Sequence, residues 1–141
     1  MGIFIDTGIF VAFHNKLDET HGRAINLITE VLQGKHGTAF TSDFVFDEAV
    51  TLALFRTKFR ETARDVGDMI IGNPKKKLPT FVKLVNVDPE IFKQAWTIFN
   101  KYDEKTLSFT DCTSIALIEQ LKINSIMSFD RDFDGIVERV S

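Results

Sequence analysis

Residues 108–135, SFTDCTSIALIEQLKINSIMSFDRDFDG, decide the fold. Thr110 is a favourable N-cap, and Asp111 falls in the first turn, where the helix dipole favours a carboxylate. Cys112, Ile115, Ala116, Ile118 and Leu121 then recur at helical spacing. Asn124 breaks that pattern, Ser125 to Phe129 reads as a buried strand, and Asp130 stands where the strand should end. A helix that feeds a parallel strand runs the opposite way along the sheet, so the helix start and the strand end share the carboxyl edge. The spacing therefore predicts that Asp111 and Asp130 meet.

Two further acids point to the same edge. Gly2 to Ile5 is an apolar tetrapeptide suited to a central parallel strand, and it ends in Asp6-Thr7-Gly8. Taken alone, Asp6 is equally well read as the cap of a helix from Thr7 to His14. Thr38 to Thr41 is a second short strand, and Ser42 or Asp43 caps a helix running to about Arg56. On that helix Glu48 shares a largely buried face with Val45, Thr51 and Leu52, whereas Asp47 points to solvent. A carboxylate on a mostly apolar face costs free energy unless it is paired or bound to metal, which favours Glu48 over Asp47 as the functional acid. In an open α/β sheet, ligands bind beyond the carboxyl ends of the strands, and like charges gathered there without partners call for a cation.

The remaining chain supplies the frame. Asp18 to Gly34 is an amphipathic helix with Ala24, Leu27, Ile28, Val31 and Leu32 on one face. Thr80 to Val87 reads as a third strand, and Asp88-Pro89-Glu90 opens a helix whose inner face is Phe92, Ala95, Trp96 and Phe99. Glu138 to Ser141 adds a final edge strand. Phe44 to Ile71 carries more large apolar groups than one helix pair can bury, which fits either an interface or a thick core. Arg56, Lys58, Arg60 and Arg64 suit phosphates but by default form a solvated face, as do Lys75, Lys76 and Lys77 in the loop before the third strand. His14, His21 and His36 have no metal-ligand spacing. Asp130 to Gly135 matches the first half of a calcium loop, but its twelfth position falls on Ser141, where a bidentate acid is required.

The chain has 141 residues, 44% of them hydrophobic, which suits a single domain over residues 1–141. Seventeen basic residues against 20 acidic ones give a net charge of −3, so no global field draws the protein to nucleic acid. Any such binding must come from a local basic patch or from bound metal. Cys112 is the sole cysteine, which excludes an internal disulfide and suits a reducing compartment. With no long apolar run and no signal segment, a soluble, cytoplasmic protein is expected.

The succession of Asp6-Thr7 after the first strand, TSDFVFDEAVTLAL with Glu48, SFTDCTSIAL with Asp111, and SFDRDF with Asp130 and Asp132 resembles the PIN-domain ribonucleases. Among them it is most similar to the VapC-type toxins of toxin-antitoxin pairs, and the likeness covers essentially the whole chain. It implies a three-layer α/β/α sandwich with a mainly parallel sheet ordered 3-2-1-4-5. Asp6, Glu48, Asp111 and Asp130 fall on the family's acidic positions and Asp132 on a frequent fifth, with Thr7 and Thr110 in support. Gly8 stands where the family often has Ser or Asn. The likeness also implies Mg²⁺ or Mn²⁺ as cofactor, an RNA substrate, a homodimer, and a cognate antitoxin whose C-terminal tail occupies the active groove. The expected function is metal-dependent hydrolysis of RNA phosphodiester bonds by a metal-activated water. The alternative is a catalytically inactive PIN-like module that binds RNA or protein. Receiver domains and aspartyl phosphatases fit less well, because Thr7 and Gly8 stand where they need a second acid.

Overall fold

Gly2–Ile5 forms β1, buried along its whole length, and the other elements are arranged about it. In the computed structural model, which describes residues 1–141, β1 pairs in parallel with β2 (Thr38–Ser42) on one side and β4 (Ser125–Met127) on the other. Phe4 lies opposite both Phe40 and Ile126. With β3 (Lys83–Val85) and β5 (Arg139–Val140) at the edges, the sheet is five-stranded and parallel, in the order β3-β2-β1-β4-β5. The first residue of β1 must be small. A Cβ on Gly2 would stand 2.9 Å from the Phe40 ring and 3.0 Å from the Thr38 carbonyl oxygen.

The connections then place the helices. α1 (Thr7–His14) and α2 (His21–Leu32) lead from β1 to β2, and α3 (Asp43–Thr57) and α4 (Arg60–Ile71) lead from β2 to β3. α5 (Pro89–Lys101) and α6 (Phe109–Leu121) carry the chain back across the sheet to β4. Because parallel crossovers are right-handed, α1 to α4 cover one face, and the reversal of direction puts α5 and α6 on the other. The contacts agree: α1 packs on α2, α3 and α4, whereas α5 packs chiefly on α6. A single hydrophobic cluster runs through the sheet, including Ile3, Phe4 and Ile5 of β1, Leu27 and Ile28 of α2, Ile115 of α6 and Ile126 of β4. The strand order reverses between β1 and β4, and there an α/β sheet leaves its crevice open.

Several boundaries differ from the sequence reading. α2 starts at His21 and not at Asp18, because the Asp18 carboxylate folds back to accept from the Thr20 amide and hydroxyl. β3 is three residues long within the span 80–87, and β4 ends at Met127, two residues before Phe129. The N-cap of α6 is Ser108: its hydroxyl accepts from the Asp111 amide while the Asp111 carboxylate accepts from the Ser108 amide, leaving Thr110 inside the first turn.

On α5 the buried stripe is Ile91, Ala95 and Ile98, whereas Phe92, Trp96 and Phe99 are 51%, 56% and 40% exposed. The two stripes are one residue, or about 100°, apart, and the small Ala95 lets α5 approach α6 closely where a tryptophan would hold it off. Leu32 and Thr51 also face solvent. The Phe44–Ile71 segment is divided: Ile70 is fully buried, Phe44 and Phe46 are half-buried, and Phe55, Phe59 and Ile71 are exposed.

Candidate active site

Beyond the carboxyl ends of β1 and β4 lies an acidic pocket. Asp6, Thr7 and Gly8 line it from the start of α1, and Glu48, Leu52 and Arg56 from α3. Ser108 and Asp111 line it from the head of α6, Phe129 and Asp130 from the turn after β4, and Asp18 and Thr20 from the loop before α2. Four of the predicted acids therefore share one pocket. Asp132 and Thr110 do not line it. The Asp132 amide instead donates to the Asp130 carboxylate at 2.9 Å, so that Asp130 caps a single 3₁₀ turn (Arg131–Phe133) that seats Phe133 in the core.

Asp6 is the centre of the arrangement. Its amide donates to the Met127 carbonyl at 3.0 Å, extending the ladder by one residue and holding the Asp6 backbone against the end of β4. It precedes α1, yet its side chain makes no capping bond to that helix. One carboxylate oxygen, Oδ2, accepts from the Ser128 hydroxyl at 2.6 Å. The other, Oδ1, is buried with no partner, and the adjacent Thr7 hydroxyl is buried and unpartnered as well. An orphaned buried oxygen costs about 1–3 kcal/mol, more if charged, so it implies a ligand or a proton.

The neighbours show the same half-engaged pattern. Asp111 spends Oδ2 on the Ser108 amide at 2.9 Å, and Asp130 spends Oδ1 on the Asp132 amide. In each, the second oxygen carries no protein hydrogen bond, so one oxygen fixes orientation and the other is available to a ligand. Ser128 ties two of these acids together. Its hydroxyl donates to Asp6 and accepts from the Asp130 amide at 3.0 Å.

The electrostatics follow from burial. Desolvation raises the Asp6 carboxyl to about 6, against the Ser128 hydrogen bond and the pull of the nearby Thr7 backbone amide, with added repulsion from Glu48 and Asp130. Asp111 is pushed up to about 7, mainly by burial and then by the charge of Asp6, while the Ser108 hydrogen bonds pull it down. Asp18 behaves oppositely. The Thr20 hydroxyl holds its carboxyl below the usual range, and Arg56 adds a smaller effect.

A hard divalent cation fits this donor set, which is all carboxylate and hydroxyl oxygen, with an unsatisfied buried Asp6 oxygen at its floor. No three acidic, histidine or cysteine side chains are closed into a ready-made cage.

The sequence of the PIN domain family matches residues 3–138, nearly the full length. The chain belongs to the PIN-domain family. This PIN domain is 31% identical over 138 residues to the 23S rRNA-specific endonuclease VapC20 of Mycobacterium tuberculosis, covering 96% of each chain. It is 29% identical to a VapC ribonuclease of Archaeoglobus fulgidus, over 94% of this chain and 80% of that one. Among solved structures, the crystal structure of M. tuberculosis VapC20, described as a sarcin-ricin loop cleaving toxin, superposes with a TM-score of 0.79 at 32% identity, covering 96% of this PIN domain and 97% of VapC20. VapBC2 from Rickettsia felis, solved on a promoter DNA fragment, shares the fold at TM-score 0.66 and 13% identity over the full length of both chains.

Sequence reasoning missed four contributors to the site, Ser128, Ser108, Asp18 and Thr20, and left Arg56 open between phosphate binding and a solvated face. The serines carry a signal, since Ser128 sits two positions and Ser108 three positions before a predicted acid at an element end. Asp18 and Thr20 enter only through the loop geometry before α2. Arg56 lies two turns beyond Glu48 on α3, and so faces the pocket and not the Asp47 side.

Proposed function

We propose that this PIN domain is a Mg²⁺- or Mn²⁺-dependent endoribonuclease that hydrolyses RNA phosphodiester bonds, acting as the toxin of a VapBC-type toxin-antitoxin pair. The observation that carries the reading is the buried Asp6 carboxylate, which declines to cap α1 and keeps an unpartnered oxygen in a pocket shared with Glu48, Asp111 and Asp130. The likeness to VapC20 over 96% of both chains supports the reaction class.

Asp6, Asp111 and Asp130 would hold the ion, with Glu48 a further ligand or the group that orients the attacking water. When bound, the ion supplies charge neutralisation at the phosphate and a lowered pKa for its water. The protein's own part is positional. Ser128 aims Asp6, Ser108 aims Asp111, and the Asp132 amide aims Asp130. Glu48, on the α3 wall of the same pocket, would hold a second ion or orient the attacking water. Asp132 supports Asp130 through its amide, and its carboxylate is not assigned a ligand role. Thr7, with its unpaired hydroxyl, supplies a donor at the pocket floor, and Thr110 contributes only its carbonyl, which accepts from Thr113 and Ser114.

The partners proposed are a second copy of the chain and an antitoxin. The exposed Phe92, Trp96 and Phe99 stripe on α5, where Trp96 stacks on Phe99 at 5.5 Å, offers the second copy an apolar face. Large-subunit ribosomal RNA, the substrate named for VapC20, is the first substrate to try. Purified protein is incubated with it in Mg²⁺ or Mn²⁺, and new 5′ ends are mapped. Discrete cleavage that is lost with chelator and in Asp6→Asn is expected. Metal-independent cleavage, or full activity in Asp6→Asn, would refute the reading.

A further inference from the structure

The acidic pocket contains one cation. Among its lining residues Asp6, Asp18, Glu48, Asp111 and Asp130 are acids, and Arg56 alone is basic. Arg56 makes no ion pair and no side-chain hydrogen bond, although five carboxylates share its pocket. Asp18, whose carboxyl Arg56 helps to hold low, has already committed an oxygen to the Thr20 hydroxyl at 2.6 Å and amide at 2.8 Å. Glu48, Leu52 and Arg56 recur every four residues on one stripe of α3, so the wall they form runs about 12 Å from the acid end to the guanidinium.

An exposed arginine left unpaired among acids is a site for an anion that arrives from outside. A nucleic-acid backbone presents a series of such anions. If one phosphate meets the cation held at the acidic end, its neighbours on the strand must pass along the α3 wall, where repulsion from the carboxylates would otherwise expel them. We propose that Arg56 binds a backbone phosphate of the substrate RNA next to the scissile one, through its planar fork of donors, and so sets the register of the strand in the pocket. This rests on the nuclease reading above and adds the residue that anchors the strand. The competing role is internal, with Arg56 merely offsetting the repulsion among the acids.

Two measurements separate these roles. The first is steady-state cleavage of ribosomal RNA in Mg²⁺ by wild type, Arg56→Ala, Arg56→Lys and, as a cation outside the pocket, Arg64→Ala. The second is binding of a labelled single-stranded RNA of mixed sequence, at several salt concentrations, on the Asp6→Asn background. Arg56→Ala is expected to raise KM about tenfold or more with a smaller change in kcat. It should also flatten the log K against log salt slope by about 0.7, one phosphate contact on a single strand. Arg56→Lys should recover the slope but not the full KM, and Arg64→Ala should change neither.

Unchanged KM and slope in Arg56→Ala would overturn the proposal. So would a variant whose only defect is a lower melting temperature without divalent cation, repaired by Mg²⁺, because that is the internal role. A wild-type protein that cleaves no RNA would strike the nuclease reading instead, and the salt slope would still decide whether Arg56 touches a phosphate.

Discussion

Ser128 is the residue on which the geometry of the pocket turns, since one hydroxyl orients the Asp6 carboxylate and receives the Asp130 amide. Removing it leaves the Asp6 carboxylate without its only hydrogen bond and the Asp130 backbone amide without its acceptor, while the Asp130 carboxylate keeps the Asp132 amide. Ser128→Ala is expected to weaken the apparent affinity for Mg²⁺ by about 10–100-fold, read as the metal concentration giving half-maximal cleavage, while saturating metal restores most of the rate. A second prediction concerns protons. With Asp6 at about 6 and Asp111 at about 7 in the folded protein, both above the unfolded value of 3.8, the folded state holds protons that the unfolded state has already released. The contribution of Asp6 and Asp111 to the stability of the metal-free protein is therefore fully present below about pH 4 and is lost as the pH rises through about 7, by on the order of a few kcal/mol. Asp6→Asn should melt higher than wild type at neutral pH, and its advantage should shrink as the pH falls toward about 4. Thermal denaturation of both proteins across that range checks this, and a difference between them that does not change with pH would contradict it.

At the scale of elements, α6 shows how much of the architecture was readable and where reading stopped. The acids Asp111 and Asp130 were placed at one edge by helix-to-strand direction alone, and the structure puts them in one pocket. The cap is not legible from residue type, because Ser108 and Thr110 are both good N-cap types and only the reciprocal bond with Asp111 selects Ser108 over the expected Thr110. Ser108→Ala is expected to cost about 1 kcal/mol in chemical denaturation, whereas Thr110→Ala should leave the cap untouched. Equal losses would point back to Thr110. On α5 the obstacle was different: Ile91, Phe92, Ala95, Trp96, Ile98 and Phe99 form an apolar arc too wide for periodicity to orient. The choice between stripes is made by the surface of α6, which is not encoded locally. Similarly, Asp18 and Thr20 reach the pocket through a side-chain-closed turn that no spacing rule anticipates.

For the whole molecule, a net charge of −3 and a pocket lined by five acids disfavour any polyanion at the pocket in the absence of a bound cation. If the proposed Mg²⁺ or Mn²⁺ binds there, it should stabilise the folded protein. At about a hundredfold excess over its dissociation constant a ligand of the folded state contributes roughly 2.7 kcal/mol. The rise in melting temperature should be larger near neutral pH, where metal competes with fewer protons at Asp6 and Asp111, than in mildly acidic buffer. Scanning calorimetry with and without Mg²⁺ at the two pH values tests this, and no shift at either would count against a metal in the pocket. No helix is long and apolar enough to cross a membrane.

The acids of the pocket enter from positions 6, 18, 48, 111 and 130, and the first and last are held together by β1 and β4, neighbours in the sheet yet separated by nearly the entire chain. A nascent polypeptide therefore carries most of these side chains long before it owns a pocket. Should the protein cut RNA, it would be harmless to the ribosome that is still making it, and a break that frees β4 from β1 would disarm it at once.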